Sequence, residues 1–237
     1  MTQRLLIVEP IHGLGNRLRV VLTAMELAER TNRQLQVSWL DLGGCRCALP
    51  DLFSAYPFEL LNWTMPATNI HTFLNTDHID GSEKAPVVMV RTGKPLLKMK
   101  AGQYAERFKQ LTLHPTVAEG VQQMDVSKCI GVHVRRRDFV RHGMAIRPLE
   151  FYYTKLDKIP DSIFLCSDEV SVEQAFLEHY GARVQMWEKA EHVRSTPAAI
   201  RDALTDLVLL SRTKLIIGTP ASSFTGLAAK IGLCKTL

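Results

Sequence analysis

The sequence predicts an α/β protein made of two Rossmann-like β/α halves facing a cleft, residues 1–125 and 126–237. Two observations lead there. A strand, a glycine loop, a helix and a second strand open the chain, and the second half alternates short apolar runs with segments of helical periodicity. Such alternation buries a parallel sheet between helices, and the ligands of these sheets lie beyond the carboxyl ends of the strands.

The first strand is RLLIVEP, Arg4 to Pro10, and IHGLGNR is its loop. From Asn16 to Arg30 the residues Leu18, Val21, Leu22, Met25 and Ala28 recur at helical spacing, with Asn16 placed to cap the helix. QLQVSWL, Gln34 to Leu40, returns as a strand. Gly13 and Gly15 let the backbone approach a ligand, and the helix start offers free amides to an anion. Neither the dinucleotide spacing G-x-G-x-x-G nor a Walker lysine is present, so those two ligand modes are excluded. A tight β–α turn is the plain alternative.

Residues 41–125 carry weaker signals: a loop through DLGGCRCALPDLFSAYP, a strand in APVVMVRTG, and the end of a connecting helix in VAEGVQQM. Beyond them, strands at 129–134, 162–167, 182–187 and 214–219 alternate with helices at 148–157, 170–180, 198–212 and 222–231.

A formal net charge of +5 suits an anionic partner without naming one, and the apolar fraction of 46% excludes a disordered chain. Five cysteines, an odd and scattered set, fit a reducing compartment, and Cys45-Arg-Cys47 has no second pair at zinc spacing. No signal-peptide core and no run of about 20 apolar residues appears, so the expectation is a cytoplasmic protein without a transmembrane segment.

The charge concentrates where a strand ends. In KCIGVHVRRRDFVRHG the run Ile130, Val132, Val134 gives way to Arg135, Arg136, Arg137 and Asp138, which puts planar, permanently charged guanidinium groups at the sheet edge. Such groups match phosphate oxygens bidentately, and Asp138 can steady one of them. A solvated basic turn is the alternative. IFLCSDE ends in Ser167 and Asp168, where the aspartate either meets a ligand or caps the next helix. AIRDALTDLVLLSR buries Asp206 in an apolar helix, where it needs donors. The Watson–Crick edge of guanine supplies two, and a salt bridge to Arg201 or Arg212 is the rival. LIIGTPASSFTG brings Ser222 and Ser223 to a helix start, as an anion cradle or as an ordinary cap.

In this order the motifs resemble the GDP-fucose-dependent fucosyltransferases of the α1,2, α1,6 and protein-O type, including the bacterial nodulation enzymes. GLGNRLR resembles their amino-terminal motif, HVRRRD their H-x-R-R-x-D motif, FLCSDE their acidic strand end, and DLVLLSRTKLIIGTPASS their last motif. The resemblance covers nearly all of the second half and the first forty or so residues.

It implies a GT-B fold and an inverting transfer of fucose from GDP-fucose to a glycan or other hydroxyl acceptor, with no metal and no other cofactor. Arg135 and Arg136 would neutralise the departing diphosphate. His133 and Asp206 would read guanine, and Ser222 and Ser223 would bind the β-phosphate. Asp138, Asp168 and Tyr152 would support the site, and Asn16 would reach the sugar or phosphate. The glutamate proposed as base in the α1,6 enzymes falls on Gly143 here, which leaves His142, Glu150 or His12. His12, beside the glycine loop, is the first choice because histidine accepts a proton near neutrality. Two rivals remain: a transferase using another GDP-sugar, and a non-catalytic polyanion binder with Arg135–Arg137, Arg141 and Arg147 as its patch. Nucleic acid is disfavoured, because no recognition-helix pattern or aromatic cluster accompanies the basic residues.

Overall fold

The computed structural model describes residues 4–63, 72–73, 85–137, 146–192 and 195–237. The chain divides into two compact units, residues 1–115 with 194–200, and residues 116–193 with 201–237.

The first unit runs β1 (Leu5–Pro10), α1 (Leu14–Arg30), β2 (Gln34–Ser38), β3 (Phe53–Ala55), β4 (Glu59–Leu61), β5 (Thr72–Phe73), β6 (Val87–Thr92), α2 (Ala101–Lys109) and β7 (Thr112–Leu113). Its sheet has the order β4-β2-β1-β6-β5 and is parallel throughout, while β3 and β7 form a separate antiparallel pair. Leu6 and Val8 of β1 have no exposed surface, and Leu18 and Leu22 of α1 are equally buried. Each such leucine or valine contributes roughly 1.5–3 kcal/mol through burial.

Helix α1 begins earlier than its periodicity suggests. Its N-cap is Gly13, with no side-chain cap, and Asn16 lies inside the first turn. Asn16 Oδ1 instead accepts from Arg19 Nη2 at 2.5 Å. Tertiary clamping replaces the local cap: the buried Arg17 guanidinium donates to the carbonyls of His12 (2.8 Å), Leu40 and Leu42 (2.7 Å).

The second unit contains most of α3 (Pro115–Gln122), then β8 (Ile130–Val134), α4 (Leu149–Leu156), β9 (Ile163–Ser167), α5 (Val170–Tyr180), β10 (Val184–Gln185), most of α6 (Pro197–Ser211), β11 (Leu215–Gly218), α7 (Ser223–Gly232) and β12 (Lys235–Thr236). Every strand and helix bound expected from 129 onward falls within two residues of these. The sheet order is β10-β9-β8-β11-β12, again all parallel. Its core is Val132, Leu156, Leu165, Phe176 and Ile217, with Tyr152 packed among them.

Each sheet therefore has one point where the strand order reverses, β1 beside β6 in the first unit and β8 beside β11 in the second. Connections leaving on opposite faces open a crevice at the carboxyl ends of those strands. Among the described residues no helix is long and apolar enough to cross a membrane.

Candidate active site

In the second unit, one hydroxyl ties the two central strand ends together. Thr219, which follows β11, donates through Oγ1 to the carbonyl of His133 (2.9 Å) and accepts from the amide of Arg135 (2.9 Å). The Tyr152 hydroxyl lies 3.2 Å from the same oxygen. The next amide, that of Arg136, donates to Asp168 Oδ1 at 2.9 Å. Asp168 thus fixes the arginine loop and does not cap α5, whose N-cap is Glu169. Arg136 Nε is buried and has no partner among the described residues. Arg137 is turned to other use, donating to the carbonyl of His192 at 2.6 Å.

Thr219→Val keeps the shape of the side chain but leaves the Arg135 amide and the His133 carbonyl unmatched. The expected result is a loss of about 1–3 kcal/mol in denaturant unfolding.

His133 is held on two sides. Its Nδ1 lies 2.7 Å from Thr225 Oγ1, and its ring stacks on Phe224 with centroids 4.8 Å apart and planes at 25°. Gly218 makes this possible, because a Cβ there would stand 2.1 Å from Thr225 Cγ2. Before α7 the chain turns through Ala221 at φ 58°, a left-handed conformation costly for a residue with a Cβ. Ser222 is the N-cap of α7, with its hydroxyl facing the Thr225 amide, so it performs the capping role. Ser223, also buried, opens the first turn. The helix start after β11 and the arginines after β8 share one sheet edge.

Asp206 lies in α6 over β9, where the Cys166 thiol points at its carbonyl at 3.7 Å. Cys166 is the register partner of His133, which places Asp206 and His133 on the same face of the sheet. The partner of Asp206 is neither Arg201 nor Arg212 but Lys189, whose Nζ is 3.4 Å from Oδ2. Lys189 also binds Glu173 Oε1 at 2.7 Å, and Glu173 Oε2 is 2.8 Å from His192 Nε2. The loop carrying Lys189 is pinned by Asp202, which accepts from Trp187 Nε1 (3.0 Å) and from the Ala190 amide (2.9 Å). Asp206 Oδ1 is buried and has no partner among the described residues. Burial pushes the Asp206 carboxyl up to about 6, the Lys189 charge offsetting only part of the cost. For Lys189 burial opposes the charge, but Asp206 and Glu173 outweigh it and the net shift is upward.

In the first unit, the chain leaving β1 passes through His12 at φ 72°, again left-handed and not glycine. Gly13 caps α1 and Gly15 is buried in its first turn. A pocket of about 310 Å³ opens here, lined by Ile11, His12, Asn16, Arg19, Thr92, Gly93 and Lys94. The imidazole rests against Gly93, where a Cβ would meet His12 Cδ2 at 2.2 Å. Glu150 lies exposed in the first turn of α4. Asp138, Arg141, His142 and Gly143 lie outside the described residues.

Reasoning from sequence missed Thr219, Thr225, Phe224 and Lys189 in the second unit, and Arg19 and Lys94 in the first. The threonines stood inside quoted motifs, yet a hydroxyl carries no periodic signal.

No family model matches the sequence, and no curated protein matches it. Solved structures do match. A NodZ alpha-1,6-fucosyltransferase soaked with GDP-fucose is 18% identical, over 97% of this chain and 92% of that one, with a TM-score of 0.72. A mutant of Arabidopsis thaliana FUT1 in complex with GDP is 16% identical, over 99% of this chain and 69% of that one, at a TM-score of 0.67. POFUT1 in complex with GDP is 13% identical, over 100% of this chain and 98% of that one, at 0.61. The chain has the fold of these fucosyltransferases.

Proposed function

We propose that the chain is an inverting, metal-independent fucosyltransferase of GT-B type that moves fucose from GDP-fucose to a hydroxyl of a glycan or similar acceptor in the cytoplasm. The observation that carries the reading is Asp206: a buried carboxylate with one oxygen unmatched, on the sheet face shared with His133. An unmatched buried acceptor is costly and implies a donor that arrives with a ligand. Guanine offers N1–H and its 2-amino group side by side, whereas adenine presents an acceptor at N1. The shared fold supports the same reading, since the three solved structures hold GDP or GDP-fucose.

In this mechanism His133 and Asp206 hold the base. Ser223 and the first amides of α7 receive the β-phosphate, and Arg135 and Arg136 face the diphosphate. As the bond from the anomeric carbon to the β-phosphate oxygen breaks, its electron pair stays on GDP and the sugar becomes oxocarbenium-like. Fixed guanidinium groups stabilise the charge that develops on the leaving oxygen, the task a divalent cation performs elsewhere. The acceptor oxygen attacks from the opposite side, inverting the centre, and its proton passes to His12. Asn16 supports the sugar or phosphate.

His12→Ala is expected to lower turnover about 10²–10⁴-fold, the usual range for a lost general base, with GDP affinity within about twofold of the parent. Gly93→Ala should mimic it in part by displacing the imidazole. A fully active His12→Ala removes His12 from this role. The function itself is tested by incubating the protein with GDP-fucose, a mixture of glycan acceptors and a chelator, and following products by mass spectrometry. A deoxyhexose adduct with GDP release supports it. Transfer from GDP-mannose in place of GDP-fucose would change the sugar, and transfer from neither would overturn the proposal.

A further inference from the structure

The pocket at the switch point of the first unit holds more positive charge than the mechanism above uses. Its lining includes two basic side chains, Arg19 and Lys94, and no carboxylate. Glu9, the acid of β1, is fully buried and paired to Arg91 at 2.6 Å. One Arg19 nitrogen is taken by Asn16, but Arg19 Nε is buried with no partner among the described residues. Burial lowers the Arg19 pKa, with Tyr104 the group that opposes it. Lys94 anchors its backbone on Thr92 Oγ1 at 2.9 Å and stands exposed. The first amides of α1, which follow His12 and Gly13, add partial positive charge on the same side.

We propose that this pocket is an anion subsite for the acceptor, binding a carboxylate, sulfate or phosphate borne by the sugar whose hydroxyl is fucosylated. The proposal rests on the transferase reading and names its acceptor class. Neutral sugar hydroxyls leave both cations uncompensated, whereas an acidic sugar supplies oxygens to Arg19 Nε and the lysine together, as charge-assisted hydrogen bonds. At about 310 Å³ the pocket is at the small end of ligand sites and fits a single sugar residue. The left-handed His12 then stands at the wall of the same pocket, in reach of a hydroxyl on that residue.

The test is calorimetric titration of the whole chain with glucuronate, glucose and inorganic sulfate at low ionic strength, with and without saturating GDP. Glucuronate should bind at least about tenfold more tightly than glucose in both conditions, and sulfate should compete with it. Lys94→Met, an exposed change that leaves folding intact, should weaken glucuronate about five- to tenfold with GDP affinity unchanged, and Arg19→Met should do the same. Equal binding of glucose and glucuronate, or an indifferent Lys94→Met, overturns the proposal. Mutual exclusion of glucuronate and GDP also overturns it, because the pocket then serves the donor phosphates. Absence of GDP binding beside retained glucuronate selectivity sinks the donor assignment and leaves the anion subsite standing.

Discussion

Arg135→Ala is expected to lower transfer about 10²–10³-fold and GDP affinity at least about tenfold, in a protein that remains folded. Folding survives because the backbone of this residue is fixed independently of its side chain. Its amide is held by Thr219, which is braced in turn by Tyr152 and the His133 carbonyl. What disappears is a permanent charge at the end of β8, where the proposed mechanism has the diphosphate gather charge as the sugar leaves. A bidentate, charge-assisted contact is among the stronger polar interactions, and in the transition state it strengthens further. Arg135→Lys should recover little, since a point charge on a flexible stem does not reproduce the planar fork. Turnover and GDP titration on the two variants check this. Unchanged GDP affinity in Arg135→Ala would remove the arginine from the donor site.

For Asp206→Asn the expected effect falls on selectivity. The amide is the same size but turns one acceptor into a donor, which then opposes the guanine N–H groups. Preference for GDP over ADP should fall about 100-fold, the cost of one lost and one reversed charged hydrogen bond. The pH dependence separates this from a general loosening. The Asp206 carboxyl titrates at about 6 against an ordinary 3.8, so the folded chain binds this proton more readily than the unfolded chain. Its contribution to stability therefore declines as pH rises from 3.8 to about 6 and stays at the lower level above. Nucleotide selectivity runs the opposite way, because guanine needs the ionised carboxylate. The ratio of GDP to ADP affinity, in which titration of the phosphate cancels, should be full above about pH 7 and drop about tenfold per unit below 6. In Asp206→Asn the ratio should be flat across that range.

Most of the fold could be read along the chain because buried parallel strands and amphipathic helices announce themselves by composition and period. Ile130 to Val134 and Ile163 to Ser167 are buried at every position, and such runs stand out between helices. The stretch from 41 to 125 stayed opaque for physical reasons. Strands β3, β4 and β7 have only two or three residues and make no pattern. Helix α2 buries little beyond Tyr104 and Ala105, and polar contacts hold it instead. Gln103 Oε1 takes the Lys100 amide at 3.0 Å, and Arg107 pairs with Glu26 at 2.8 Å and with Glu29. The start of α1 was misplaced for a related reason, since Arg17 clamps the loop from a distance and no local cap marks it.

In the site, the residue types with strong chemistry were visible and their supports were not. Asp206 was conspicuous as a carboxylate in an apolar helix, but Lys189 comes from a loop after β10, which no helical spacing connects to it. Thr219 orders the arginine loop together with Asp168, yet in sequence it is one hydroxyl beside a proline. The two non-glycine residues held left-handed after switch-point strands, His12 and Ala221, carry no sequence signal at all. Strain of that kind is tolerated where surrounding structure fixes it, and it marks both crevices.

The most direct measurement is calorimetric titration with GDP, ADP and UDP, with a chelator and high salt present. High salt removes diffuse attraction between a basic patch and a polyanion, while a buried carboxylate reading guanine keeps its preference. The account predicts GDP binding at least about 100-fold tighter than ADP or UDP, persisting at high salt. Equal affinities that fade together as salt rises would contradict it and leave the arginines as a non-specific anion surface.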